Sequence, residues 1–325
     1  MGRRRQGRNG SDGRNMTADG APERALSRRT WLIGSLLAGL GGSAFHPSGM
    51  RRRILERTIP STGERIPAIG LGTWQTFDVG ASPEARRPLA NVLERFVALG
   101  GRVVDSSPMY GTSEEVLGDL AAEVGLEENL FVATKVWTRG RADGIRQMET
   151  SMRRLRVERI DLMQVHNLLD AGTHLDTLAG WKREGRIRYL GVTHYTAGAH
   201  DDLARAMRDH TLDFIQVNLS VAERAAEERL LPFAAERGVA VLVNRPFAEG
   251  ALFRAVRNRA LPGWAADMDC TTWAQIFLKY ILANPAVTAA IPATSDPRHL
   301  EDNMAAGLGR LPEPAQRQRI VEALG

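Results

Sequence analysis

Four ionisable side chains of complementary chemistry stand at the ends of successive apolar runs: Asp105 and Tyr110 in "VVDSSPMYG", Lys135 in "LFVATKV" and His166 in "IDLMQVH". A tyrosine titrates at about 10, too high for easy proton donation at neutral pH, and a neighbouring ammonium stabilises the phenolate and lowers that value. Lys135 buried at a strand end is a costly charge unless paired, and Asp105 supplies the partner. Tyr110 is therefore expected to be a tuned acid. His166 is placed to hydrogen-bond the same substrate oxygen and fix its position. Each residue alone has a structural explanation as an ion pair, a packed ring or a satisfied polar group. Their occurrence at successive strand ends is what points to catalysis.

The elements that must position these groups are legible from residue 54 onward. A short hairpin turns at 61–63, and apolar strand runs follow at 66–72, 102–105, 130–136, 160–166, 187–195, 214–218, 239–244 and 288–294. Amphipathic helical periodicity separates them at 84–99, 113–123, 141–156, 173–184, 199–209, 224–237 and 271–283. Short, almost continuously apolar strands suit a parallel sheet covered on both faces. Eight strand–helix units over roughly 265 residues match the size of a TIM barrel. The expected fold is thus α/β, a (β/α)8 TIM barrel with an N-terminal β-hairpin, with catalytic residues at the C-terminal ends of its strands. A doubly wound dinucleotide fold is disfavoured, since "GLGTWQ" offers Gly70 and Gly72 but no third glycine in place.

With 325 residues, 43% hydrophobic and 25% charged, the chain has the composition of a globular protein. One cysteine, Cys270, excludes an internal disulfide framework and a cysteine-based zinc cluster. The net charge of +5 arises in the first fifty residues, where eight arginines face Asp12, Asp19 and Glu23; the rest is formally neutral. No nucleic-acid partner is expected on that distribution. Nor is a metal expected, because the strand ends offer only His166, His194 and Asp105 as ligands. Only three lysines occur, Lys135, Lys182 and Lys279, which singles out the one at a strand end.

Residues 1–26 are basic, polar and poor in apolar surface, and read as a disordered leader. Residues 27–45, "SRRTWLIGSLLAGLGGSAF", set twin arginines before an apolar stretch shorter than a membrane span. That combination predicts a twin-arginine signal, hence the translocation machinery as a partner and a periplasmic or extracytoplasmic location, membrane-tethered if uncleaved. A basic tail with a short buried helix is the alternative. Residues 54–325 form the expected barrel.

Over about residues 56 to 306 the chain resembles the aldo-keto reductase family, through "GLGTW", "VVDSSPMYG", "ATKV", "QVHN", "GVTHY", "IQVN" and "IPATSDPRHLEDN". The resemblance implies hydride transfer between a nicotinamide cofactor and a small-molecule carbonyl or alcohol. Tyr110 would be the proton donor, Lys135 and Asp105 the pair that tunes it, and His166 the carbonyl-orienting residue. By the same resemblance Gly72, Thr73 and Asp105 lie beside the nicotinamide ribose. Thr193, His194 and Gln216 would hold the carboxamide, with His194 in place of the more usual Asn. Asn244 stands where a stacking ring is common, followed by Arg245, Pro246 and Phe247, of which Phe247 could compensate. Pro292, Thr294, Ser295, Asp302 and Asn303 match the nucleotide end. NADP is implied, with NAD possible, because Ala293 and Asp296 stand in the loop that commonly carries cations and Arg298 is the sure cation there. Trp74 and Trp137 would flank the substrate, and Trp264 in the 250–270 loop is a candidate for the mouth. A ligand-binding or sensing barrel with little catalysis is the alternative function, and a non-redox barrel enzyme a third.

Overall fold

The computed structural model describes residues 53–324, so the leader and signal expected at 1–45 lie outside the described residues. The described residues open with β1 (Glu56–Thr58) and β2 (Arg65–Pro67), an antiparallel hairpin in which Arg57 faces Ile66. There follow β3 (Leu71–Gly72), α1 (Pro83–Ala98), β4 (Val103–Asp105), α2 (Ser113–Glu123), β5 (Phe131–Val136), α3 (Arg141–Leu155) and β6 (Ile160–His166). The second half runs α4 (Ala171–Arg183), β7 (Ile187–Thr193), α5 (His200–Asp209), β8 (Phe214–Asn218), α6 (Leu230–Glu236) and β9 (Ala240–Asn244). It ends with α7 (Ala251–Ala255), α8 (Trp273–Leu282), β10 (Ala289–Ala290), α9 (Pro297–Ala305) and α10 (Pro314–Glu322).

Strands β3 to β10 form one parallel sheet in chain order. It closes on itself where Gly70 N–H donates to Ala290 O at 2.8 Å, Ala290 N–H to Ala68 O at 2.9 Å and Gly72 N–H to Pro292 O at 3.0 Å. Glycine is required at this seam: a Cβ would lie 2.8 Å from Val103 O at Gly70 and 2.8 Å from Ile291 O at Gly72. The (β/α)8 barrel expected from the strand count is therefore the fold observed.

The strand period of two sets an axial gradient inside the barrel. Its lower interior is apolar, built from Val103, Phe131, Ala133, Leu162, Tyr189, Phe214, Ala240 and Leu242, with Ile59 and Ile66 of the hairpin region joining from below. Alternate residues further up the same faces are polar: Asp105, Lys135, Gln164, His166, Thr193 and Gln216, all buried. The intervening residues, such as Val132, Val136, Met163, Val165, Ile215 and Val217, face the helices in a second, larger core. At the floor the Tyr189 hydroxyl donates to Glu64 at 2.6 Å and lies 2.8 Å from Thr62 Oγ1, tying the hairpin turn to the barrel.

Departures from the expected elements have local causes. The run 66–72 divides, because Arg65–Pro67 pairs with β1, whereas Leu71–Gly72 pairs with β4 and Ile69 bridges to Ala290 at the seam. The helix expected at 224–237 breaks into a 3₁₀ turn, Ala225–Glu227, and α6. Pro232 lacks an N–H, and restarting the helix at Leu230 puts it in the first turn, where no donor is needed. The last strand shrinks to two residues before Pro292, which has no donor for a ladder. Helices α7, α9 and α10 were not among the expected elements.

Candidate active site

Strand ends and the loop after β4 bring Asp105, Tyr110, Lys135 and His166 together. Lys135 Nζ donates to Asp105 Oδ2 at 2.6 Å and to Ser106 O at 2.6 Å, and its ammonium lies 4.9 Å from the centre of the Tyr110 ring. The remaining Asp105 oxygen, Oδ1, accepts from Gln216 Nε2 at 2.8 Å and from Gln164 Nε2 at 3.2 Å. Gln216 is held in turn, since its Oε1 accepts from Thr193 Oγ1 at 3.1 Å and Asn244 Nδ2 at 3.4 Å. A continuous hydrogen-bonded floor thus fixes the carboxylate that fixes the lysine. Tyr110 and His166 stand above it edge to face, ring centres 6.0 Å apart.

The protonation states follow from burial and charge. Burial raises the Tyr110 phenol above its ordinary value of 10, and Lys135 offsets that rise only in part. The expected downward tuning is therefore reversed in net direction: the removal of solvent costs the phenolate more than one ammonium restores. Burial alone would depress Lys135, but Asp105 and then Tyr110 outweigh it and hold the amine charged. Burial and the nearby Lys135 push His166 down to about 2. At neutral pH the group is a phenol, an ammonium and a neutral imidazole.

These side chains face a cavity of about 880 Å³, within the range of small-molecule sites. Gly72, Thr73, Trp74, Asp105, Tyr110, Trp137, His166, Thr193, Gln216, Asn244, Arg245, Pro246 and Phe247 line it, as do Met109 and Tyr195. Trp74, Met109, Trp137, Tyr195 and Phe253 are exposed large apolar side chains of this wall. Gln75, Asn167, Arg245 and Glu249 hold left-handed backbone, φ between 51° and 59°, concentrating conformational strain at the rim.

Six residues implied for the cofactor stand outside the cavity lining: His194, Pro292, Thr294, Ser295, Asp302 and Asn303. The His194 ring stacks on Tyr195 at 5.4 Å, and only its backbone meets the floor, the N–H donating to Gln216 O at 3.0 Å and the oxygen accepting from Asn244 Nδ2 at 3.4 Å. Thr294 Oγ1 accepts from Asp296 N–H at 3.1 Å. Asp302 accepts from Gln275 Nε2 at 2.7 Å and Thr272 Oγ1 at 2.9 Å, so its carboxylate is engaged by α8 and the residue preceding it. Asp296 caps α9 by accepting from Arg298 N–H at 2.8 Å, and it grips the Arg298 guanidinium at 2.7 Å. Trp264, a candidate for the mouth, packs against the hydrophobic core; Phe253 of α7 reaches the cavity and meets Phe247 at 4.8 Å.

Gln164, Asn167 and Phe253 escaped the sequence reading. Gln164 had a signal, lying two residues before His166 and so on the same strand face. Asn167 and Phe253 depend on loop conformations that no periodicity encodes.

Comparison with known proteins agrees with the geometry. An Escherichia coli (strain K12) protein described as methylglyoxal reductase YeaE is 27% identical, over 74% of this chain and 85% of its own length. A Klebsiella pneumoniae aldo/keto reductase crystallised with NADP and acetate superposes with TM-score 0.70 at 24% identity, covering 84% of this chain and 95% of that one. A K. pneumoniae aldo-keto reductase with NADPH gives TM-score 0.68 at 25% identity, covering 84% and 96%. The profile of the aldo/keto reductase family matches residues 68–321, from the strand that opens the barrel to the last helix, and the chain belongs to that family.

Proposed function

We propose that the protein reduces aldehydes or ketones with a nicotinamide nucleotide, NADP(H) in the first place and NAD(H) as a second donor. The reading rests on one observation: a protonated tyrosine above a buried Lys135–Asp105 pair, beside a neutral histidine, in the wall of a cavity of about 880 Å³.

The cavity suits the nucleotide's reactive end. Asn244 Oδ1 is buried without a partner among the described residues, an acceptor open to an N–H donor such as a carboxamide. Thr193, Gln216 and Asn244 would hold that group, with Gly72 and Thr73 beside the ribose. When bound, the nicotinamide supplies the hydride to the carbonyl carbon. The chain's own residues handle the oxygen. Tyr110 Oη–H and the His166 ring orient the carbonyl, and Tyr110 passes its proton to the oxygen as negative charge grows there. Lys135 stabilises the phenolate left behind, and Asp105 with Gln164 and Gln216 keeps Lys135 charged and in place. In alcohol oxidation the same groups act in reverse. Trp74 and Trp137 would flank the substrate.

Relatives crystallised with NADP support that nucleotide. Arg298 is the cation for a 2′-phosphate in the 293–298 loop, but Asp296 already neutralises it. Coulomb repulsion from Asp296 would weaken phosphate binding, which is why NAD(H) stays a competent alternative. Consumption of NADPH and NADH with a panel of aldehydes and ketones tests the proposal. Turnover with at least one carbonyl supports it, and tight nucleotide binding with none turned over favours a sensing role.

Export by the twin-arginine route is proposed from residues 27–45 alone. Cell fractionation of the full chain and of Arg28→Lys/Arg29→Lys checks it: the unaltered chain is expected outside the cytoplasm and the double variant within it.

A further inference from the structure

The two serines after β4 have divided roles. Ser106 Oγ accepts from Thr73 Oγ1 at 2.9 Å, whereas Ser107, fully buried, lies with Oγ 3.1 Å from His166 Nδ1 and accepts from Met109 N–H at 3.4 Å. The amide can only donate, so it occupies a lone pair of Oγ and leaves the hydroxyl hydrogen free. Two arrangements remain. If Nδ1 carried the imidazole proton, Oγ would accept twice and its own hydrogen would have no acceptor among the described residues, a buried unsatisfied donor. If the hydroxyl donates to Nδ1, the Ser107 hydroxyl and Nδ1 are both satisfied and the imidazole proton sits on Nε2. Nε2 has no protein partner among the described residues, and His166 lines the cavity beside Tyr110.

We propose that Ser107 is a positioning residue that selects the Nε2–H tautomer of His166, so that the imidazole presents a donor to the substrate oxygen. The opposite tautomer would turn a lone pair toward that oxygen and oppose its binding and its developing charge. Ser107 thus makes a histidine that is neutral at neutral pH a dedicated hydrogen-bond donor, complementing the Tyr110 hydroxyl. The consequence for turnover rests on the reductase reading above, whereas the tautomer itself does not.

The test is the ¹⁵N chemical shifts of the His166 ring in the full chain, assigned against His166→Asn and recorded for the unaltered protein, Ser107→Ala and Ser107→Thr. The unaltered protein is expected to show protonated Nε2 and unprotonated Nδ1 at neutral pH. Ser107→Ala should move both shifts toward a tautomer mixture and lower kcat by about tenfold, the loss of one neutral hydrogen bond, with nucleotide affinity unchanged. Ser107→Thr should restore both the shifts and kcat. A protonated Nδ1 in the unaltered protein, or Ser107→Ala shifts identical to it, overturns the proposal. Should Ser107→Ala fail to fold, the unaltered spectrum still decides. A correct tautomer in a chain with no turnover would instead count against the reductase reading alone.

Discussion

At the scale of residues, the proposed chemistry depends on keeping one proton on a phenol and charge on one amine. Tyr110→Phe removes the proton and little else, so kcat/KM should fall by about a thousandfold while NADPH binding, followed by fluorescence titration, stays the same. The pH profile follows from the directions of the shifts. Because the Tyr110 pKa is raised, the proton donor is fully loaded through neutral pH and is lost only as pH climbs through an alkaline value above 10. Because His166 is pushed down to about 2, it contributes no acid limb. Carbonyl reduction should therefore be flat from pH 5 to 9 in its protein-dependent part; a limb at the ordinary histidine value would contradict this. Lys135→Met should destabilise the fold by about 3–5 kcal/mol, read by denaturant unfolding, because it strands the buried Asp105 carboxylate. The identity of these groups was legible from their strand-end positions. The direction of Tyr110's shift was not, because Lys135 is visible in sequence and the desolvation that outweighs it arises only once the folded chain buries the phenol.

At the scale of elements, strand alternation does the positioning: Phe131, Ala133 and Lys135 share one face of β5, and Leu162, Gln164 and His166 one face of β6, so an apolar floor and a polar rim come from the same short runs. That pattern was readable because a buried strand has a rigid period of two. Prolines and caps were less readable: Pro292 cut the last strand short, Pro232 split a helix, and α9 opens with Asp296 as cap and Pro297 at its first position. The capping pattern lies inside "IPATSDPRHLEDN", the same stretch that resembles a nucleotide-contacting motif. Asp296→Ala should lower stability through the lost cap, read as a small drop in Tm. It should also release Arg298 and shift preference toward NADPH over NADH, measured as the ratio of the two dissociation constants. An unchanged ratio would remove this pair from the account of nucleotide choice.

At the scale of the whole molecule, the barrel closes through three backbone bonds at a glycine-bearing seam and carries its polar side chains at one end. A ligand that binds this folded rim and not the unfolded chain must stabilise everything beneath it. NADPH at a hundred times its dissociation constant should add about 2.7 kcal/mol to unfolding, visible as a rise in Tm. Barrel, hairpin and tetrad were all open to sequence reasoning, since each is written in period, spacing or residue type. The α7 segment and its Phe253 were not, because loop geometry has no period. The most direct test of the proposed chemistry uses NADPH bearing deuterium at the transferable nicotinamide position, an aldehyde that is turned over, and mass analysis of the alcohol formed by the unaltered chain and by Tyr110→Phe. One deuterium at the carbinol carbon, with product nearly abolished in the variant, is the predicted result; product without deuterium, or product formed equally well by the variant, would contradict it.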